Sequence, residues 1–325
     1  MSVFNGARWL QESIESILTQ SFTNFEFIIV DDGSQDASLE IMRRYAAVDP
    51  RIRVIVKPNS GLADSLNVGI EAARGEWIAR IDADDMAMPS RLATQLDHAI
   101  RDERCVILGS AIVRIDEQGR ACGVATFPLN HKQLCRLMYR KINPIPHSSA
   151  LFRKAAVCAV GGYRKRMRRS QDYDLWLRLS EVGHIGSTDR PLVRYRQHAS
   201  QVSHEDGGLQ QIVDGTVAIA SFMLRRAGFK DPVSGEATDE QFHEFWQFVQ
   251  HSLREHRYIE YRKFVDGIKA DLASRSLFRA IRAVFSALSA PRFLIRLAKI
   301  RVFGDRLTDR IVKDWIARGK RRCAD

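Results

Sequence analysis

Hydrophobic positions in the first hundred residues alternate between the spacing of helices and that of buried strands. Residues 9–18 and 61–73 carry apolar side chains at helical spacing. Short, nearly continuous apolar runs at 25–30, 52–56 and 77–81 are typical of strands that are buried on both faces. This alternation of strand and helix predicts an α/β fold built on a mainly parallel sheet.

Acidic residues follow two of the predicted strands directly. Asp31 and Asp32 come after the run 25–30, and the cluster 82–85 comes after the run 77–81. In parallel sheets, ligands bind at the carboxyl ends of the strands. We therefore expect a functional site at this edge of the sheet.

The rest of the chain predicts a mixed middle region and a helical end. Residues 106–108 and 111–115 favour strands, with a hairpin turn at 117–119. The Gly161–Gly162 turn precedes a basic loop and a helix that begins near residue 171 with acidic residues in its first turn. Helical spacing dominates afterwards, so we expect one domain over 1–204 and a helical, basic, amphipathic region over 205–325.

The charge is concentrated in the C-terminal tail. The chain has a net charge of +11, but residues 275–325 hold 14 Lys and Arg against 4 Asp and Glu, which leaves the main body near neutral. This distribution argues against a nucleic-acid partner. A basic, apolar tail suits an anionic membrane surface, and packing of its apolar face on the domain over 1–204 is the alternative.

Cysteine usage and hydropathy predict the compartment. The five cysteines are widely spaced and form no CxxC pair, as expected in a reducing environment. Apolar runs fall short of the roughly 18 residues of a membrane span, and no signal-peptide pattern opens the sequence. We expect a cytoplasmic protein, with peripheral attachment to the inner face of the membrane as an option.

Several residues could carry chemistry, although each also has an ordinary structural interpretation. The carboxylates of 82–85 suit Mg²⁺ or Mn²⁺, and the same pattern is typical of a solvated acidic turn. Asp172 could act as a general base or simply as a helix-start charge. His147 and His198 are uninformative alone. The P-loop, HExxH, GxSxG and GxGxxG motifs are absent from the sequence.

Seven segments taken together resemble the family 2 glycosyltransferases, which have the GT-A fold. They lie in the order 2–6, 25–34, 61–69, 75–92, 161–163, 171–178 and 195–198. The resemblance extends from Met1 to about Ser203. It implies a Rossmann-like, mainly parallel sheet flanked by helices, followed here by a C-terminal helical extension.

The resemblance also implies a donor site with a divalent cation. The donor-side residues would be Ser2, Asn5, Asp31, Asp32, Gly61, Asn67, Asp82 and Asp84. Asp82 and Asp84 match the DxD motif, which would hold Mn²⁺ or Mg²⁺ together with His198. Asp84 is expected to be the direct ligand.

On the acceptor side, the resemblance assigns Asp172 as the catalytic base. Gly161, Gly162 and Gln171 would shape the acceptor pocket, and Gln171 replaces the Glu of the usual Glu-Asp motif. The implied enzyme is an inverting hexosyltransferase. It would move a sugar from a nucleoside diphosphate, with UDP expected, to a hydroxyl of a saccharide or lipid-linked acceptor in cell-surface polysaccharide synthesis.

The beginning of the sequence departs from the family pattern. Family members usually carry a full apolar strand where this chain has only Met1 to Phe4. We hypothesise that translation starts upstream of Met1. Two alternative functions stay open, namely a catalytically inactive saccharide- or partner-binding homologue and a nucleotidyltransferase. The latter needs a basic phosphate loop near the first strand, and residues 5–8 are a poor one.

Overall fold

The computed structural model describes residues 1–199, 201, 208–256, 258 and 306–319. The chain divides into two compact units, Met1–Gln201 and Val202–Asp325. The predicted boundary at residue 204 lies outside the described residues.

The first unit contains nine strands and seven α-helices among the described residues. The strands are β1 (Ser2–Val3), β2 (Phe27–Asp31), β3 (Ile52–Val56), β4 (Trp77–Ala79), β5 (Met86–Ala87), β6 (Cys105–Ile115), β7 (Ala121–Ala125), β8 (Leu151–Arg153) and β9 (His184–Arg196). The helices are α1 (Ala7–Leu18), α2 (Ser38–Val48), α3 (Leu62–Ala72), α4 (Arg91–Ile100), α5 (His131–Tyr139), α6 (Lys154–Ala159) and α7 (Gln171–Val182).

The first sheet has the parallel order β1–β2–β3, as the sequence predicts. β2 is buried along its whole length, and its Ile29 packs in a core with Leu10 and Ile14 of α1 and Met42 of α2. The apolar faces of the helices thus cover the sheet. Asp31 closes β2 at its carboxyl end, on the edge where the sequence predicts a site.

The second sheet has the order β4–β8–β6–β9–β5, with β7 paired to β6. β6 and β9 run parallel, whereas β4 pairs antiparallel with β8. The predicted strand at 77–81 therefore does not extend the first sheet. A cavity of about 860 Å³ is lined by Phe27 and Ile28 from β2, by Ile78 and Ala79 from β4, and by Met1.

The second unit is helical where it is described. It contains α8 (Leu209–Arg226), α9 (Asp239–Glu255) and helical residues at 306–319. Thr238 closes the start of α9 with a capping box, and Trp315 packs on Phe245. Within the described segments, every helix is too short or too polar to cross a bilayer. The predicted amphipathic tail falls mainly on 259–305 and 320–325, outside the described residues.

Candidate active site

The acidic cluster forms the loop between β4 and β5. One carboxylate oxygen from each of Asp82, Asp84 and Asp85 lies within 4.8 Å of the others. Burial and the adjacent carboxylates raise the pKa of Asp84, and they raise that of Asp85 well above its usual range. Asp85 Oδ2 is buried and has no hydrogen-bond partner among the described residues. The loop therefore concentrates negative charge that a cation would relieve.

Asp82 is already neutralised by the protein. The buried Arg80 forms an ion pair with its carboxylate, and Ser148 Oγ donates to Asp82 Oδ2 at 2.9 Å. Although burial opposes ionisation, Arg80 holds the pKa of Asp82 at about 2. With both oxygens of Asp82 in use, Asp84 is better placed than Asp82 to bind a cation directly.

His198, near the end of the first unit, contacts the acidic loop. It follows β9, and its Nε2 lies 2.9 Å from Asp84 Oδ2. Its ring packs on Trp9, with 4.5 Å between the ring centroids. Arg196 N donates to Asp85 Oδ1 at 2.7 Å, which fixes β9 against the acidic loop. Carboxylate and imidazole donors fit a divalent cation. Of the predicted residues, Asp84 and His198 therefore form a candidate metal site, with Asp82 close to Asp84 but bound to Arg80.

The predicted nucleotide side lies at the ends of β1 and β2. Asp32 Oδ2 accepts from Gly61 N, and its Oδ1 accepts from Ser60 N, both at 2.9 Å. Burial works against ionisation, but the hydrogen bond from Lys57 and these donors lower the pKa of Asp32. Gly61 has a φ of +93°, which only glycine adopts easily. The Asp32 carboxylate, which is buried, is thus kept charged at the carboxyl end of β2.

Ser2, Asp31 and Asn5, which are also predicted donor residues, lie on β1 and β2 or in the loop after β1. Ser2 pairs with Val30 on β2, and Asp31 Oδ1 accepts from Ser34 N at 3.3 Å. Asn5 Oδ1 accepts from Gln35 N at 2.8 Å. These contacts shape the loops after β1 and β2, and the nucleotide-binding roles of the residues stay predictions.

Asn67 contacts the glycine turn on the predicted acceptor side. Its Nδ2 donates to Tyr163 O and its Oδ1 accepts from Tyr163 N, both at 2.8 Å. The turn itself has positive φ at Gly161 (+81°) and Gly162 (+65°). Asn67 therefore anchors this turn, and its predicted contact with the donor stays untested.

His147 links the same turn to the acidic loop. Its Nε2 and the Tyr163 hydroxyl are 2.8 Å apart, and burial lowers the pKa of His147 well below its usual range. The next residue, Ser148, is the one that donates to Asp82. A neutral imidazole and a hydroxyl thus connect the two predicted halves of the site.

Asp172 lies in the first turn of α7. Asn143 Nδ2 donates to Asp172 Oδ2 at 2.7 Å, and Tyr173 N donates to Oδ1 at 2.8 Å. Burial raises the pKa of Asp172 in spite of these donors, as suits a general base. The neighbouring Gln171 is buried at the start of the same helix.

Backbone strain is concentrated around the site. Among the described residues, the non-glycine positions with positive φ are Asn5, Lys141 and Ser170. Asn5 follows β1, Lys141 lies two residues before Asn143, and Ser170 lies two residues before Asp172. Such conformations persist only where the surrounding structure holds them, and they cluster at functional sites.

Sequence reasoning missed several residues of the site. Arg80 had a usable signal, because alternate residues of an extended segment point to the same side and Asp82 follows two positions later. Asn143, Ser148 and Lys57 carry no such signal, since each meets its carboxylate through the fold at a separation of more than 20 residues.

Comparison with known proteins identifies the family. The family model "Glycosyl transferase family 2" matches residues 1–160. The putative glycosyltransferase EpsE of Bacillus subtilis is 38% identical over 190 residues, which cover 57% of this chain and 67% of that protein. This chain belongs to glycosyltransferase family 2. Another family relative, the amylovoran biosynthesis glycosyltransferase AmsE of Erwinia amylovora, is 30% identical over 200 residues, covering 61% of this chain and 74% of that protein.

Solved structures support the GT-A fold of this glycosyltransferase. Residues 1–349 of Staphylococcus aureus TarS in complex with UDP-GlcNAc superpose with a TM-score of 0.58 at 17% identity, covering 97% of this chain and 90% of that one. The mannosyltransferase PcManGT of Pyrobaculum calidifontis, in complex with GDP-Man and Mn²⁺, gives a TM-score of 0.51 at 15% identity, covering 93% and 86%. At these identities the likeness establishes the fold.

Proposed function

We propose that this glycosyltransferase moves a hexose from a UDP-sugar to a hydroxyl of a saccharide or lipid-linked acceptor, with inversion at the anomeric carbon. The observation that carries the proposal is that one domain holds both a candidate cation-binding cluster (Asp84 with His198) and a half-buried carboxylate of raised pKa (Asp172). A role in cell-surface polysaccharide synthesis is supported by relatives named for amylovoran biosynthesis and for hyaluronan synthesis.

On the donor side, the proposed mechanism depends on a bound cation and on the charged carboxylate of Asp32. Asp84 and His198 would hold Mn²⁺ or Mg²⁺, and such a cation, when bound, offsets the charge that develops on a leaving diphosphate. Asp32 and Ser2 would bind the nucleoside, because the Asp32 carboxylate is kept charged at the ends of β1 and β2. UDP is favoured because TarS binds UDP and UDP-GlcNAc.

The acceptor half rests on Asp172. The carboxylate takes the proton from the acceptor hydroxyl while that oxygen forms a bond to the anomeric carbon. The bond from this carbon to the diphosphate oxygen breaks at the same time, and its electron pair leaves with the nucleoside diphosphate. Attack from the face opposite the leaving group inverts the anomeric carbon. Asn143 keeps the carboxylate oriented throughout this step.

Thermal unfolding with nucleotides tests the proposal. UDP, GDP, dTDP and CDP would each be added with and without Mn²⁺. A ligand that binds only the folded state at about 100 times its dissociation constant adds roughly 2.7 kcal/mol of stability. We expect a metal-dependent increase of Tm with UDP. An unchanged Tm with all four nucleotides would contradict the proposal. An increase of Tm with GDP alone would indicate a GDP-sugar as the donor in place of a UDP-sugar.

We further propose peripheral attachment to anionic membrane through the basic tail. The charge of residues 275–325 supports this. Co-sedimentation of the full chain with anionic and neutral vesicles at moderate salt tests it, and equal pelleting with both vesicle types would contradict it.

A further inference from the structure

The indole of Trp9 lies beside the candidate cation-binding residues. Trp9 is in the first turn of α1, and its ring faces the imidazole of His198, with 4.5 Å between the ring centroids and 39° between the ring planes. His198 Nε2 in turn lies 2.9 Å from Asp84 Oδ2. The His198 imidazole therefore contacts both the indole and the acidic loop.

Further contacts hold the indole in place. Its Nε1 donates to Glu117 O, in the turn that joins β6 to β7, at 3.3 Å. The guanidinium carbon of Arg8 lies 4.3 Å from the ring centroid, and that of Arg196 lies 5.3 Å from it. A cation is attracted to an aromatic face at such distances. Contacts with the β6–β7 turn and with the end of β9 thus fix the orientation of a ring that belongs to α1.

The burial of Trp9 limits what its side chain can do. Only 9% of the residue is exposed, so the ring has little open face on which a base or a sugar could stack. The side chain of His198 is 7% exposed, whereas that of Asp84 is 30% exposed. A ligand therefore has the best access to the carboxylate, and Trp9 can influence that ligand through the side chains that it contacts.

His198 lies beyond the last strand of the first unit. β9 ends at Arg196, which pairs with Ile115 of β6. Gln201 N then donates to His198 O at 3.3 Å, in the turn that follows. The imidazole thus projects from a loop, and side chains on loops are held less precisely than those on helices or strands. Contact with a helix residue such as Trp9 supplies the missing rigidity.

The orientation of an imidazole decides whether it can bind a cation. The lone pair of one nitrogen must point at the ion, and neighbouring groups that fix the ring typically change metal affinity by about 10- to 100-fold. An indole that packs against the imidazole restricts rotation of the histidine side chain through its large, rigid surface. It does so without a charge that would compete with the cation.

We propose that Trp9 is a positioning residue of the cation site, whose indole holds the His198 imidazole in the orientation that binds Mn²⁺ or Mg²⁺ beside Asp84. The inference rests on the proposed function, because it takes His198 to be a ligand of the cation. It adds a residue of α1 to a site whose other members lie in the loop after β4 and in the segment after β9.

A double-mutant cycle on Mn²⁺ binding tests the inference. Mn²⁺ is titrated into the full chain in the presence of UDP, and electron paramagnetic resonance measures the free ion. The variants are Trp9→Met, Trp9→Phe, His198→Ala and the double change of Trp9→Met with His198→Ala. Methionine fills irregular space but has no flat, rigid face. Trp77→Met is the matched control, because Trp77 is half-buried and its ring also faces a guanidinium, that of Arg153.

We expect Trp9→Met to weaken Mn²⁺ binding about tenfold or more, while Trp9→Phe, which keeps an aromatic ring, retains most of the affinity. Because Trp9 acts through His198, Trp9→Met should cause no further loss in the His198→Ala background. Trp77→Met should bind Mn²⁺ as tightly as the wild type.

Tryptophan fluorescence gives a second measurement that does not need the methionine variant. Paramagnetic Mn²⁺ quenches indole emission at short range, and diamagnetic Mg²⁺ does not. Mn²⁺ should therefore quench part of the wild-type emission, and this part should be missing in Trp9→Phe. The comparison of wild type with Trp9→Phe decides the matter if circular dichroism shows that Trp9→Met is unfolded.

Three results would overturn the inference. The first is wild-type Mn²⁺ affinity in a folded Trp9→Met. The second is an equal loss of affinity from Trp9→Met in the wild-type and His198→Ala backgrounds, because the indole would then act through another group. The third is Mn²⁺ binding without any quenching that depends on Trp9. Absence of Mn²⁺ binding by the wild type, or full affinity in His198→Ala, would instead remove the proposed cation site itself, and this inference with it.

Discussion

Asn143 Nδ2 lies 2.7 Å from Asp172 Oδ2 and donates to it, so a neutral amide supports the charged form of the candidate base. Burial raises the pKa of Asp172, and the Asn143 hydrogen bond opposes that rise. Since the base acts when deprotonated, kcat/KM should increase as pH rises through this pKa.

Asn143→Ala removes the donor and should move the acid limb of the pH profile of kcat/KM to higher pH. Initial rates across the acid range measure this shift. Asn24→Ala, at an exposed position, is the control and should leave the limb in place. An acid limb that stays at the wild-type pH in Asn143→Ala would show that the amide does not tune the base.

Asp172→Asn should abolish sugar transfer while sparing nucleotide binding. The amide keeps the size of the side chain but cannot take a proton, and general-base catalysis typically contributes about 10²- to 10⁴-fold. Transfer rates and the UDP-induced change of Tm would be measured on the same preparation. Asp189→Asn, on an exposed part of β9, should behave as the wild type. Turnover by Asp172→Asn equal to that of the wild type would show that Asp172 is not the catalytic base.

Asp84→Asn should remove the Mn²⁺-dependent part of the stabilisation by UDP. The change takes away the carboxylate that pairs with His198, whereas Asp82 remains bound to Arg80. Differential scanning fluorimetry with and without Mn²⁺ measures the effect. Asp97→Asn on α4, where the carboxylate is 55% exposed, should keep the full metal response. A wild-type response to Mn²⁺ in Asp84→Asn would show that Asp84 does not bind the cation.

Gly161→Ala and Gly162→Ala form a matched pair in the glycine turn. Both glycines have positive φ, so either alanine should cost about 1–2 kcal/mol of the free energy of unfolding. A Cβ at 162 would also lie 2.7 Å from Asn67 Oδ1, whereas one at 161 meets nothing within 4 Å. Gly162→Ala should therefore be the more destabilising in urea unfolding.

A second substitution isolates the contact with Asn67. Asn67→Ala removes the clashing oxygen, so the extra cost of Gly162→Ala should disappear in that background, while the cost of Gly161→Ala should not change. Equal costs of the two alanines in the wild-type background would argue against the contact.

The spacing of apolar residues predicted the strands and helices, but it did not predict which strands pair with each other. The apolar runs that became β2, β3 and β4 follow from residue type alone, because buried strands and amphipathic helices leave different periods. The antiparallel pairing of β4 with β8 could not be read in this way, since it depends on residues more than 70 positions away. The cavity between β2 and β4 is a property of that pairing.

The sequence motifs predicted the candidate site residues themselves, but they did not predict the residues that support them. Asp82, Asp84, Asp172 and His198 stand in recognisable segments, and the structure brings Asp84 and His198 together. Asn143 has no recognisable neighbours in sequence, and nothing local predicts that it reaches Asp172. Residues that orient a reactive group act through space, so a single sequence rarely identifies them.

The position of Arg196 bears on the order in which the protein folds. Its backbone N–H donates to Asp85, and its guanidinium donates to Glu12, 184 residues earlier in the chain. Until β9 docks, the buried Asp85 lacks its backbone donor and Asp84 lacks His198. Contacts of such long sequence separation form late, because the intervening chain must first be ordered. On a ribosome, the sheet β1–β2–β3 can thus assemble while the chain is still emerging, and the contacts of Asp84 with His198 and of Asp85 with Arg196 form only after nearly 200 residues are available.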